Sequence, residues 1–74
     1  KPFTVYPNPS EGIFTIRFNE LPTNNIQIMD ISGRIIQELN VQSEVSEIDL
    51  SSFTKGIYFL TERNSGLVEK LIVQ

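Results

Sequence analysis

Phe14, Ile16 and Phe18 alternate with Thr15 and Arg17, and this period of two constrains the fold more than any other feature of the chain. Successive side chains of a strand point to opposite faces. Ile13 to Phe18 is therefore predicted to be a strand that turns Phe14, Ile16 and Phe18 into a core. Helix periodicity is nearly absent elsewhere, and short apolar runs of the same kind recur.

Phe3-Thr4-Val5-Tyr6 is a short first strand. Pro7-Asn8-Pro9 ends it, because each Pro lacks a donor and biases the residue before it toward extended geometry. Ile26 to Met29 is a third strand and Arg34 to Leu39 a fourth. Between them lies Asp30-Ile31-Ser32-Gly33, whose residue types suit a tight turn: Asp caps it with its side chain, and Gly33 takes positive φ without steric cost. Val45 to Leu50 is a fifth strand with Ile48 and Leu50 in and Glu47 and Asp49 out. Ile57 to Glu62 is a sixth. Asn64-Ser65-Gly66 joins it as a hairpin turn to Leu67–Val73. Ser51 to Thr54 is the one stretch with the makings of a helical turn.

About seven short strands, with turns every eight to twelve residues, predict an all-β fold, a small Ig-like or Greek-key β-sandwich of antiparallel strands. Phe14, Ile16, Phe18, Ile28, Leu50 and Leu60 are expected in its core. Tyr58 follows Gly56 early in the sixth strand. Sandwiches use a Tyr there to pin the preceding crossover, its hydroxyl reaching back to the backbone; the alternative is an ordinary half-buried aromatic.

Seventy-four residues make a single small domain. With no Cys it has no disulfide and no thiolate metal site. With no His it lacks the commonest general base and metal ligand. A net charge of −3 argues against binding a phosphate backbone, so no nucleic-acid partner is expected. No apolar run approaches the roughly 20 residues that span a bilayer, so direct membrane insertion is not expected. No signal peptide is visible, and the chain opens on Lys1 rather than Met. The expectation is one domain, residues 1–74, excised from a larger secreted protein.

The groups that could carry chemistry are carboxylates, hydroxyls, three Lys and three Arg. Glu44, Glu47 and Asp49 cluster in sequence, and Glu47 and Asp49 share a strand face roughly 7 Å apart. They lack the ligand spacing of a calcium loop and fit a solvated face better. Ser51 and Ser52 near Lys55 have no accompanying oxyanion-hole motif. The glycines are isolated, so no phosphate-cradling loop exists. No catalytic residue, metal ligand or cofactor site is expected, and an enzyme is not.

Lys70-Leu71-Ile72-Val73-Gln74 closes the chain as an apolar strand. Chain ends are usually loose and polar. Such a strand is either locked into a sheet or read by a partner, and a free edge would suit strand addition. An apolar end of this kind can also swap between copies, giving a strand-swapped homodimer.

Several spaced motifs together resemble one family. They are Val5-Tyr6-Pro7-Asn8-Pro9-Ser10 with Gly12; Ile28-Met29-Asp30-Ile31-Ser32-Gly33-Arg34; Ile48 through Leu60, with Gly56-Ile57-Tyr58 at its centre; and Lys70 to Gln74. The chain resembles the C-terminal sorting domain of type IX secretion cargo in Bacteroidota, the Por secretion type A class, over nearly its whole length. The resemblance implies a non-catalytic address label. Cargo would pass through the periplasm and be directed across the outer membrane by the type IX translocon. A sortase-like protein would commonly remove the domain and attach the cargo at the cell surface, other cargo being released. Lys70, Leu71, Ile72, Val73 and Gln74 would carry the recognition signal. Tyr6, Pro7, Asn8 and Pro9 would mark the domain start. Asp30, Gly33, Arg34, Gly56 and Tyr58 would set its shape.

Two readings compete with it. One is an Ig-like adhesion or carbohydrate-binding accessory domain of a secreted enzyme, for which the absence of Trp is unfavourable. The other is a small hydrolase working without His or Cys.

Overall fold

The computed structural model describes residues 2–63 and 66–74. Seven strands form: β1 (Phe3–Tyr6), β2 (Ile13–Phe18), β3 (Ile26–Met29), β4 (Ile35–Leu39), β5 (Val45–Asp49), β6 (Gly56–Glu62) and β7 (Val68–Val73). They make two sheets, ordered β1-β2-β5 and β4-β3-β6-β7, with every strand pair antiparallel. The chain crosses between sheets after β2, β4 and β5, which is the connectivity of an Ig-like sandwich.

The alternation in β2 sets the core. Phe14, Ile16 and Phe18 are buried and Arg17 is exposed. Across the ladders Phe18 faces Phe3 and Phe14 faces Ile48, so the inward rows of β1 and β5 continue that face. The opposing sheet contributes Ile26 and Ile28 from β3, Tyr58 and Leu60 from β6, and Leu71 and Val73 from β7. All six residues expected in the core are there. Each large apolar side chain withdrawn from water contributes about 1.5–3 kcal/mol, which is how so short a chain offsets its ordering entropy.

The strand ends moved by a residue at most. Arg34 belongs to the turn, so β4 starts at Ile35, while Gly56 joins β6. A bulge opposite Ile28 and Met29 leaves Ile36 as the extra residue of β4, where it packs against the core. Ser51 to Thr54 forms no helix. The Phe53 N–H donates to the Leu50 carbonyl at 3.0 Å and closes a single turn. Asn64 and Ser65 of the expected hairpin turn lie outside the described residues; Gly66 has a φ of +76°.

Two connections are held by local hydrogen bonds. The Gly33 N–H donates to the Asp30 carbonyl at 3.0 Å, with Gly33 at φ +88°. Asp30 Oδ1 accepts from the N–H groups of Ser32 and Arg34 at 2.9 and 3.0 Å, and Arg34 Nε sits 3.2 Å from Asp30 Oδ2. In the β5–β6 crossover the Tyr58 hydroxyl donates to the Thr54 carbonyl at 2.6 Å, and the Tyr58 ring meets Phe53 edge-on. The hydroxyl thus ties β6 to the connection before it. The peptide bonds Tyr6–Pro7 and Asn8–Pro9 are cis.

Candidate functional site on the closing strand

β7 pairs with β6 along its whole length, from Val68 opposite Thr61 to Val73 opposite Gly56. A strand divides its side chains between two faces. Leu71 and Val73 point into the core and are buried. Lys70, Ile72 and Gln74 alternate with them; Lys70 and Gln74 are exposed and Ile72 is half-buried. The five residues marked as a recognition signal are therefore two different things in the folded domain. Leu71 and Val73 are structural, and Lys70, Ile72 and Gln74 are presented.

The presented residues do not stand alone. Directly opposed residues share a sheet face. Lys70 is opposite Phe59, Phe59 is opposite Met29, and Met29 is opposite Ile35. One row thus crosses all four strands, ending in an ammonium at the β7 side. The neighbouring row pairs Ile72 with Ile57. Ile35 and Ile57 are 51% and 42% exposed, so this outer face is partly apolar.

The outer edge of β7, which would suit strand addition if it were free, is covered. Residues 8–10 cover it in parallel register. The Ser10 N–H donates to the Ile72 carbonyl at 3.0 Å and the Gln74 N–H donates to the Ser10 carbonyl at 2.8 Å, so the Ser10 backbone straddles Val73. Two residues earlier the Asn8 side chain does the same around Leu71. Asn8 Nδ2 donates to the Lys70 carbonyl at 2.7 Å, and Asn8 Oδ1 accepts from the Ile72 N–H at 3.1 Å. A carboxamide has the donor and acceptor of a peptide group, so Asn8 extends the ladder with its side chain. Pro7 and Pro9 cannot donate, which leaves this role to Asn8. Ser10 is anchored below: it is 6% exposed, and its hydroxyl donates to the Ile13 carbonyl and accepts from the Gly12 N–H.

Gly12 has a specific task. It is buried at φ +137°, and a Cβ there would lie 2.8 Å from the Ser51 Cα. Its carbonyl accepts from the Leu50 N–H at 2.7 Å, locking the start of β2 to the end of β5. The sequence signal was a Gly immediately before a strong strand, which does not announce what it packs against.

The candidate chemical groups do not converge. Asp49 Oδ1 accepts from the Ser51 N–H and hydroxyl at 2.9 and 2.5 Å, and these bonds, the hydroxyl's first, hold its pKa below the ordinary carboxylate value. Asp30 is lowered in the same way, by the Ser32 hydroxyl first and the Arg34 N–H next. Both carboxylates are organising turns. Among the described residues no group of three potential metal ligands comes together. A shallow cleft between the β3–β4 turn and the β5–β6 crossover is lined by Asp30, Lys55, Ile57 and Tyr58. Ser32 also lines it, but its hydroxyl donates to Asp30 Oδ1 at 2.6 Å as part of the turn.

No curated protein matches the chain. The family described as secretion system C-terminal sorting domain matches residues 4–74, from within β1 to Gln74 just past β7. With the sandwich, the Asp30 turn, the Tyr58 tie and the closing strand all inside that match, the chain belongs to the family of secretion system C-terminal sorting domains.

Proposed function

We propose that Lys70, Ile72 and Gln74, with Phe59 and Ile57 beside them, form the surface by which the type IX secretion machinery recognises this domain. As a family member the chain is a sorting signal that delivers cargo to the cell surface or beyond, in a family that is not catalytic. The finer reading is carried by one observation: the closing strand gives these three side chains to the outside while Leu71 and Val73 go to the core. A folded domain can be distinguished only by what it presents. A lone ammonium at the end of an apolar cross-strand row offers charge for specificity and apolar area for affinity.

In this reading cargo waits in the periplasm until the domain engages the outer-membrane translocon. A sortase-like protein then removes the domain on the side of residues 7–9 and attaches the cargo at the surface. The experiment is to fuse the 74-residue chain behind a periplasm-targeted reporter in a cell with a working type IX system. Reporter at the surface or in the medium is expected, in an amount that falls to background when the translocon is disabled. Retention of the unmutated fusion in the periplasm would refute the sorting assignment and favour an accessory adhesion domain.

A further inference from the structure

The parallel segment on β7 has a fixed end and a loose end. Ser10 is buried and doubly tied by its hydroxyl. Asn8 is exposed, and it meets β7 through two side-chain hydrogen bonds that are themselves exposed. Bonds of that kind, with little apolar burial around them, open locally at low free energy while the rest of the fold stays closed. β7 itself is held differently, by its ladder to β6 and by burial of Leu71 and Val73.

Asn8 also occupies specific places. In a parallel ladder one residue of the added strand donates to the carbonyl before its partner and accepts from the N–H after it. Asn8 makes those two bonds around Leu71, at Lys70 and Ile72. We propose that Asn8 is a releasable plug on a concealed strand-addition surface. When its side chain swings out, the Lys70 carbonyl and Ile72 N–H become available to an extended peptide segment of a partner, lying parallel to β7 in continuation of Ser10. The occupant is an extended backbone because the plug copies one, and its direction follows from the parallel Ser10–Val73 bridge. The purpose of the freed edge rests on the sorting assignment: it would place partner backbone directly beside Lys70 and Ile72. The plug itself does not rest on it.

Amide hydrogen exchange on the 74-residue chain tests the plug alone. The Ile72 amide faces Asn8, whereas strand alternation turns those of Leu71 and Val73 toward β6. Ile72 is expected to exchange faster than both in the native chain. Asn8→Ala should speed Ile72 by about tenfold further, the scale of losing its one hydrogen bond, without changing Leu71 or Val73. Equal rates at all three positions that rise together in the variant would overturn the proposal, since Asn8 would then open only with the whole fold. The reporter fusion supplies a second reading. Asn8→Ala should be exported at least as well as the parent; a fall with the fold intact would mean that Asn8 is recognised in place and not displaced. Failure of the unmutated fusion would strike the sorting assignment and leave the exchange result to decide the plug.

Discussion

Leu71 stands opposite Tyr58 across β7 and β6, and both are buried on the inner face of the four-stranded sheet. The end of this chain is thus part of the core, and its contribution to folding can be separated from what it displays. Leu71→Ala is expected to cost about 2–5 kcal/mol through lost transfer energy and the cavity left behind. Lys70→Ala, one residue away and exposed, should stay within about 0.5 kcal/mol of the parent. Denaturant melts of the two variants check this, and similar losses would contradict the division of the strand.

The tie at Tyr58 gives a smaller, specific prediction. Tyr58→Phe keeps the ring against Phe53 and removes the donor to the Thr54 carbonyl. A loss of about 0.5–1.5 kcal/mol is expected, or up to about 3 if water cannot reach that carbonyl. A melt unchanged from the parent would show that the hydroxyl does not hold the crossover.

Gly12 and Gly33 should respond differently to a side chain. Both have positive φ, which disfavours a Cβ by about 1–2 kcal/mol. At Gly33 nothing lies within 4 Å of the added carbon, so the backbone term should be the whole effect. At Gly12 the same carbon would stand 2.8 Å from the Ser51 backbone. Gly12→Ala is therefore expected to cost distinctly more than Gly33→Ala. The reverse order in thermal melts would contradict the close contact between β2 and β5.

Acid should weaken both turns. Asp30 and Asp49 have folded-state pKa values depressed by hydroxyl and N–H donors. A depressed carboxylate stabilises the fold fully above its unfolded pKa and loses that contribution as pH falls through the folded value. Stability should thus decline from just above pH ~4 downward. Asp30→Asn and Asp49→Asn should each flatten that decline; Asp49 is exposed and Asp30 half-buried, so salt should weaken the effect more at Asp49. A decline of unchanged steepness in the double variant would assign the acid sensitivity elsewhere.

The sandwich was legible because β2 alternates apolar and polar residues, as a sheet face requires, and the other strands carry apolar residues at their centres between turn residues. The Asp30–Gly33 turn and the Tyr58 tie were legible for a related reason: each depends on residues within four positions of one another. The cover on β7 was not. It joins residue 8 to residues 70 and 72, and a side-chain amide acting as backbone leaves no period in the sequence. Equally hidden is the bond from the Gln74 N–H to the Ser10 carbonyl, which deleting Gln74 would remove. Gln74→Ala keeps that bond and removes only the displayed carboxamide.

The most direct test of the signal is therefore the double variant Lys70→Ala, Gln74→Ala in the reporter fusion, with the fold checked by its melt. Neither change touches the core or the ladder. The account predicts a melt like the parent's and reporter held in the periplasm. Reporter at the surface or in the medium at undiminished levels, with the fold intact, would contradict the assignment of recognition to the displayed face of β7.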